Sequence, residues 1–324
     1  MRSALLVILI IAGCGDNHDG GRDASGDVAA GVALADLAAL RHDAICAEQI
    51  ACSDIPDMAT CDAAVTSDTT QLDTLIADVM AGIVTYDGNA ATACLAYLQG
   101  TCTFAGFHVA NPCDAMFDGT LAIGAACNED AECAGYVAGS ATCVATSQTC
   151  DRTAACCSGS CTATAGKGAV SSPCTGPTCA SGLYCSTASS MCTAIATTAG
   201  MSCYGSDGCA DPMYCDELSS AGGICTHAAA SGDACEPTAT LPCAEGSDYC
   251  DVESALCTTK STVGNACSST IPCVGFANCD TGMCVAIPSQ GQPCFTGTGT
   301  ACLGDLTCVA SVCVAPQAAM TCSL

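Results

Sequence analysis

Apolar positions along this chain follow three rules in succession. Ala4 to Ala12 is an unbroken apolar run behind the basic start Met1-Arg2-Ser3. Its nine residues are too few to span a bilayer, so the run reads as the h-region of a secretory signal. Gly15 to Asp27 is then almost entirely glycine and polar residues, which predicts a flexible tether reaching roughly 20 Å. From Val28 helical spacing takes over. Leu34, Leu37, Leu40 and Ile45 share a face of a helix that should run to about Ala51, with Ser53 to Pro56 as its break. Leu72, Leu75, Ile76, Val79, Ile83 and Val84 give the clearest amphipathic helix, with caps offered by Ser67, Asp68 and Thr70 and Gly88 beyond its end. Asn89 can cap a third helix over Ala90 to Gln99, and a short fourth one fits Pro112 to Phe117. Phe104, Phe107 and Phe117 make this the only part of the chain suited to an ordinary core.

After Gly124 no apolar residue recurs at helical or strand spacing; cysteine recurs instead. The first copy reads Cys127, Cys133, Cys143 and Cys150, followed by Cys156, Cys157 and Cys161. Four-cysteine copies follow at Cys174–Cys192, Cys203–Cys225, Cys235–Cys257, Cys267/Cys273/Cys279/Cys284 and Cys294–Cys313. A glycine opens most copies, as at Gly124, Gly232, Gly264 and Gly291. Self-similarity at about thirty residues marks a repeat array. Between the cysteines lie Gly, Ser, Thr, Ala, Asp and Pro, which are turn formers. Loops and short hairpins are therefore expected.

Thirty-five cysteines in 324 residues indicate a disulfide scaffold and an oxidising compartment. Zinc sites and thioredoxin-like redox centres favour Cys-x2-Cys, a spacing this sequence lacks. With no Trp and few aromatics, a module here cannot bury enough apolar surface to offset chain entropy, so crosslinks must do so. All 32 acidic residues follow Cys14, with only five basic ones. That balance excludes nucleic acid as a partner and disfavours adsorption to anionic head groups.

Ile11-Ala12-Gly13-Cys14, placed at the end of the apolar run, resembles the bacterial lipobox. The resemblance implies cleavage before Cys14, a thioether-linked diacylglycerol and an N-acyl chain on it, and recognition through Ile11, Ala12 and Gly13. Several acyl chains hold a protein stably on a membrane. The family prefers Leu at the place of Ile11, and Gly15 rather than Asp after Cys14 leans toward the outer membrane. Cys127-Asn-Glu-Asp-Ala-Glu-Cys133, the Cys156-Cys157 doublet with Cys161, and tyrosine before the third cysteine at Tyr184, Tyr214 and Tyr249 resemble the Dickkopf N-terminal cysteine-rich domain. The whole layout is similar to cysteine-rich surface lipoproteins of myxobacteria. The resulting expectation is a signal peptide over 1–13 and a lipid anchor and tether over 14–27. A small α-helical, disulfide-stapled domain should occupy 28–120, separable from a disulfide-rich repeat array of loops and short β-hairpins over 121–324. The tyrosines should pack on neighbouring disulfides.

Candidate chemistry is sparse. His42 and His108 lack a local partner motif, His227 falls in a linker between copies, and no nucleophile elbow, zincin helix or P-loop occurs. Asp16, His18 and Gly20 do not make an EF-hand loop. No metal or cofactor is expected. The leading expectation is a non-enzymatic surface protein presenting its array to protein or matrix partners. A ligand-binding or protease-inhibitor array is the alternative, although only Arg152, Lys167 and Lys260 are basic there. An enzyme sited in the helical domain comes last. Six cysteines of the helical domain allow fifteen pairings. In the array, parity suggests a shifted frame. Cys127 through Cys157 would close on themselves, each copy's last cysteine would join the next copy, and Cys313 would bond to Cys322.

Overall fold

The computed structural model describes residues 31–65, 67–99, 112–146, 158–174, 179–180, 182–186, 188–204, 208–210, 213–216, 222–236, 243–244, 246–294 and 302–316. The first predicted helix forms as α1, Leu34–Ala51, and buries Leu37, Ala44 and Cys46. A second helix, α2, Met58–Ala64, has no apolar period to announce it. It starts because the Asp57 side chain accepts the Thr60 N–H at 2.8 Å. Helix α3, Ser67–Met80, ends before the expected stretch does. Gly82, at φ 76°, turns the chain, and Ile83 and Val84 leave the helix; Val84 opens strand β1, Val84–Tyr86. Helix α4, Gly88–Leu98, is capped by Asp87 rather than Asn89; the Asp87 carboxylate accepts the N–H groups of Asn89 and Ala90. The expected fourth helix is a 3-10 turn at Pro112–Ala115, after which Phe117–Gly119 forms β2. Strand β2 pairs antiparallel with β1. Leu37, Leu72, Val84, Ala91, Cys94, Met116 and Phe117 are the shared core. Cys46–Cys61 ties α1 to α2, Cys94–Cys113 ties α4 to the 3-10 turn, and Cys52 is disulfide-bonded as well.

The described residues of the array form six modules of one design. In each, the third and fourth cysteines face each other across an antiparallel hairpin, as Cys279 and Cys284 do. They do not bond to each other. The first cysteine bonds to the third and the second to the fourth: Cys267–Cys279 and Cys273–Cys284, Cys294–Cys308 and Cys302–Cys313. Modules two to four repeat this pattern. In the first module the bridges are Cys127–Cys143 and Cys133–Cys161, so its fourth cysteine is Cys161 and not Cys150.

The shifted frame is thus overturned. Cys313 bonds to Cys302 within its own module, because the hairpin register holds its sulfur over that module's second cysteine. Parity survives without the shift. Assigning Cys161 to the first module leaves Cys150, Cys156, Cys157 and Cys322, an even set that lies outside the described residues.

The opening glycines close each module. Three residues before the first cysteine, the chain takes a positive φ and donates its N–H to the carbonyl of the fourth cysteine. Gly124, Gly200, Gly232, Gly264 and Gly291 do so with φ between 78° and 88° at 2.7–2.8 Å. Ser171 stands in the same place at φ 66°. The spacers are bonded on both sides. Ile287 N–H donates back to Phe276, while Pro288 accepts from Leu303 in the next module. Ile195 donates back to Gly182, and Ala196 accepts from Ala210. Tyr184 adds a side-chain link, its hydroxyl accepting the Tyr204 N–H of the following module at 3.2 Å. Tyr184, one of the tyrosines expected to pack on disulfides, thus couples two modules.

In the sixth module the hairpin turn is Ala310–Ser311, with φ 50° and 65°, where the fifth has Thr281–Gly282. Two-residue turns of this kind favour Asn-Gly. Replacing Ala310 by Asn together with Ser311 by Gly is expected to stabilise this hairpin by about 1 kcal/mol. Slower hydrogen exchange at the Val309 and Val312 amides, the pair that flanks the turn, checks it; unchanged exchange contradicts it.

Among the described residues the helical region bonds to the array in two places. At the near end, Thr120 N–H donates to Ile83, Leu121 N–H to Glu132, and Ala134 N–H back to Leu121. These bonds bracket the boundary expected between Phe117 and Gly124. At the far end the array returns. Gly275 N–H donates to the Ser53 carbonyl at 2.7 Å, and Asp305 N–H to that of Ala64 at 2.9 Å. Ala64 is buried with Ile287, Leu303 and Leu306 of the last module. Within residues 31–316 the array is therefore held at both ends by α1 and α2 on one side and by β2 on the other.

Candidate functional site

The near-end joint carries an open pocket of about 240 Å³. Leu72 and Leu75 of α3 with Met116 and Phe117 form its apolar wall. Arg41 of α1 enters from the helical side, and Asp114, Glu129, Asp130 and Tyr136 complete the rim. Asp130 is fixed: its Oδ1 accepts the Thr142 hydroxyl at 2.8 Å and the Cys143 N–H at 2.7 Å. Burial pushes the Tyr136 phenol above its ordinary range, and the charges of Asp114, Asp130 and Glu129 push it the same way. An apolar wall with a few converging charged groups is the usual make-up of a small-ligand pocket.

Two further carboxylates are buried in this joint. Glu132 is fully buried at the end of the 3-10 turn Asp130–Glu132, with Oε2 accepting the Asn128 N–H at 2.8 Å and Oε1 unpartnered. Asp78 is 2% exposed in the last turns of α3, and its Oδ2 is also unpartnered. Desolvation, then the charges of Glu132 and Glu129, raise the Asp78 carboxyl to about 6. Gly119 permits the approach, since a Cβ there would lie 2.2 Å from the Glu132 carbonyl carbon and oxygen. Sequence reading missed Asp78 and Glu132. One signal was present: the residue before the second cysteine is Glu132 in the first module but Thr, Gly, Pro, Pro and Ala in the others.

The residues singled out by sequence fall elsewhere. Cys14, the lipobox residues Ile11, Ala12 and Gly13, and His108 lie outside the described residues. His42 Nε2 lies 3.0 Å from Asp62 Oδ1, which ties α1 to α2, and 3.5 Å from the Cys46 sulfur. That sulfur is in a disulfide and is no nucleophile. His227 lies on a strand, paired with Met213, and not in a linker. In each of modules one to five, three cysteine sulfurs lie within 4.8 Å of one another, as at Cys267, Cys273 and Cys279. These are stacked disulfides, so their thiolates are not available to a metal. No helix among the described residues is long and apolar enough to cross a membrane. No protein-family model, curated protein or solved structure matches the chain.

Proposed function

We propose that this is a non-enzymatic protein of a cell envelope, anchored by lipid on Cys14 and presenting a stiff disulfide array to protein or matrix partners. The sequence Ile11-Ala12-Gly13-Cys14 is the ground for the anchor, and one repeated observation supports the presenting surface. The residue before the fourth cysteine is Met191, Ile224, Leu256, Met283 and Val312 in modules two to six, and each is 37–50% exposed. The alternation of a strand explains the exposure: when the cysteine points into its module, the preceding residue points out. Spacers bonded on both sides hold these aliphatic residues at fixed intervals, which suits a partner that engages several modules at once. The joint pocket favours a second reading, small-ligand binding beside the array.

Two measurements test the proposal. Wild type is expected in the membrane fraction with lipid mass on its N-terminal peptide, and Cys14→Ala in the soluble fraction. Membrane association that survives the substitution, with no lipid on wild type, refutes the anchor. Changing the five exposed aliphatics to serine is expected to cut capture of the chain by envelope and matrix preparations at least tenfold. Equal capture of both forms refutes the presenting surface.

A further inference from the structure

We propose that a hard divalent cation of the calcium class binds between the Asp78 and Glu132 carboxylates and clasps the first module to the helical region. The backbone brings the two residues together in three steps. Ile83 N–H donates to the Asp78 carbonyl, Thr120 N–H to the Ile83 carbonyl, and Leu121 N–H to the Glu132 carbonyl. Both side chains are more than nine-tenths buried, and each keeps one oxygen without a partner. Glu132 and Glu129 both act electrostatically on Asp78. Two ionised carboxylates buried together lose hydration and repel each other, and a cation between them removes both penalties.

The donors select the ion. They are all oxygen, which suits calcium, magnesium or manganese. Cys127 and Cys133 nearby are disulfide-bonded and cannot draw zinc. Calcium accepts an irregular oxygen set completed by backbone carbonyls and water, whereas magnesium demands near-ideal octahedral geometry, so the pair favours calcium. Asp216 and Asp248 also keep a buried oxygen without a hydrogen-bond partner, so either serves as a comparison for the pair at the joint.

The test uses the full chain with disulfides intact, stripped with a chelator and titrated with calcium chloride at neutral pH and 0.15 M salt. Calorimetry is expected to show one binding event with Kd of about 0.1–1 mM, as in extracellular calcium modules. Magnesium should bind at least tenfold more weakly. Calcium should raise Tm by several degrees and slow amide exchange at residues 77–84 and 129–133 of the wild type. Asp78→Asn and Glu132→Gln should each weaken binding tenfold or more, and Asp248→Asn should leave it unchanged. Both neutral variants remove a buried charge and keep the side-chain shape, so they are expected to fold. Absence of calcium heat and of calcium-dependent exchange in wild type overturns the proposal. So does binding by the two neutral variants at wild-type strength.

Discussion

Replacing Cys273 and Cys284 together by alanine is expected to unfold the fifth module while the other modules keep their bridges. That module's core is Cys267, Val274, Ala277 and Cys284, with Cys273 and Phe276 beside it. Half of the core is sulfur, so the bridge is both the crosslink and the packing. Losing it costs about 2–5 kcal/mol, more than such a small cluster can spare. The damage should spread in one direction. Gly275, which bonds to Ser53, follows Cys273 by two residues, so the return contact goes with the bridge. Limited proteolysis followed by mass mapping is expected to find new cuts between residues 258 and 293 and a loosened α1–α2 corner. Chelator alone should produce no cuts inside modules two to six, whereas reductant should open every module. A double variant as resistant as wild type would show that the module folds on something other than its bridges.

The second large effect concerns Gly119. Alanine there would place its Cβ 2.2 Å from the carbon and oxygen of Glu132 and 2.4 Å from the nitrogen of Cys133. All three are backbone atoms, and none can retreat. Glu132 is bonded to Leu121, Cys133 is crosslinked to Cys161, and Thr120 is bonded to Ile83. The first module must then separate from β2, at a cost of about 3 kcal/mol. Gly264→Ala is the control. Its new Cβ meets nothing, and only its φ of 85° is strained, so about 1–2 kcal/mol is expected. Denaturant midpoints compare the two. Equal losses would mean that the joint yields and that the close approach is not a constraint.

The legible parts of this fold are those written in periods. Leu34, Leu37 and Leu40 marked α1, and its end at Ala51 was readable from the break that follows. The copies from Cys174 to Cys313 were readable because their spacing repeats. Cys161 was not. Its module carries an insertion between its third and fourth cysteines, so counting cysteines in order reached Cys150 first. The pairing was illegible for a geometric reason: residues opposite each other in a hairpin are neighbours, yet Cys279 and Cys284 each reach for a cysteine upstream. Helix α2 is seven residues long and depends on one cap, which leaves no periodicity to find. The joint was hidden because it rests on backbone groups. Gly119 and Gly275 admit a neighbouring main chain only through lacking a side chain, and nothing in a sequence says which chain will arrive. The buried acids Asp78 and Glu132 look like solvated charge until that arrival is known.

Because Gly275 and Asp305 dock on Ser53 and Ala64 while Leu121 and Glu132 hold the other end, the array spans a fixed gap. Open repeat proteins gain and lose units readily, since each unit contacts only its neighbours. Here one duplication or deletion among the middle modules would carry the last two away from α1 and α2, stranding both docking bonds and uncovering Ala64. Copy number in this chain is therefore locked by geometry. Length variants should have to change two modules in compensation, or give up the docking altogether.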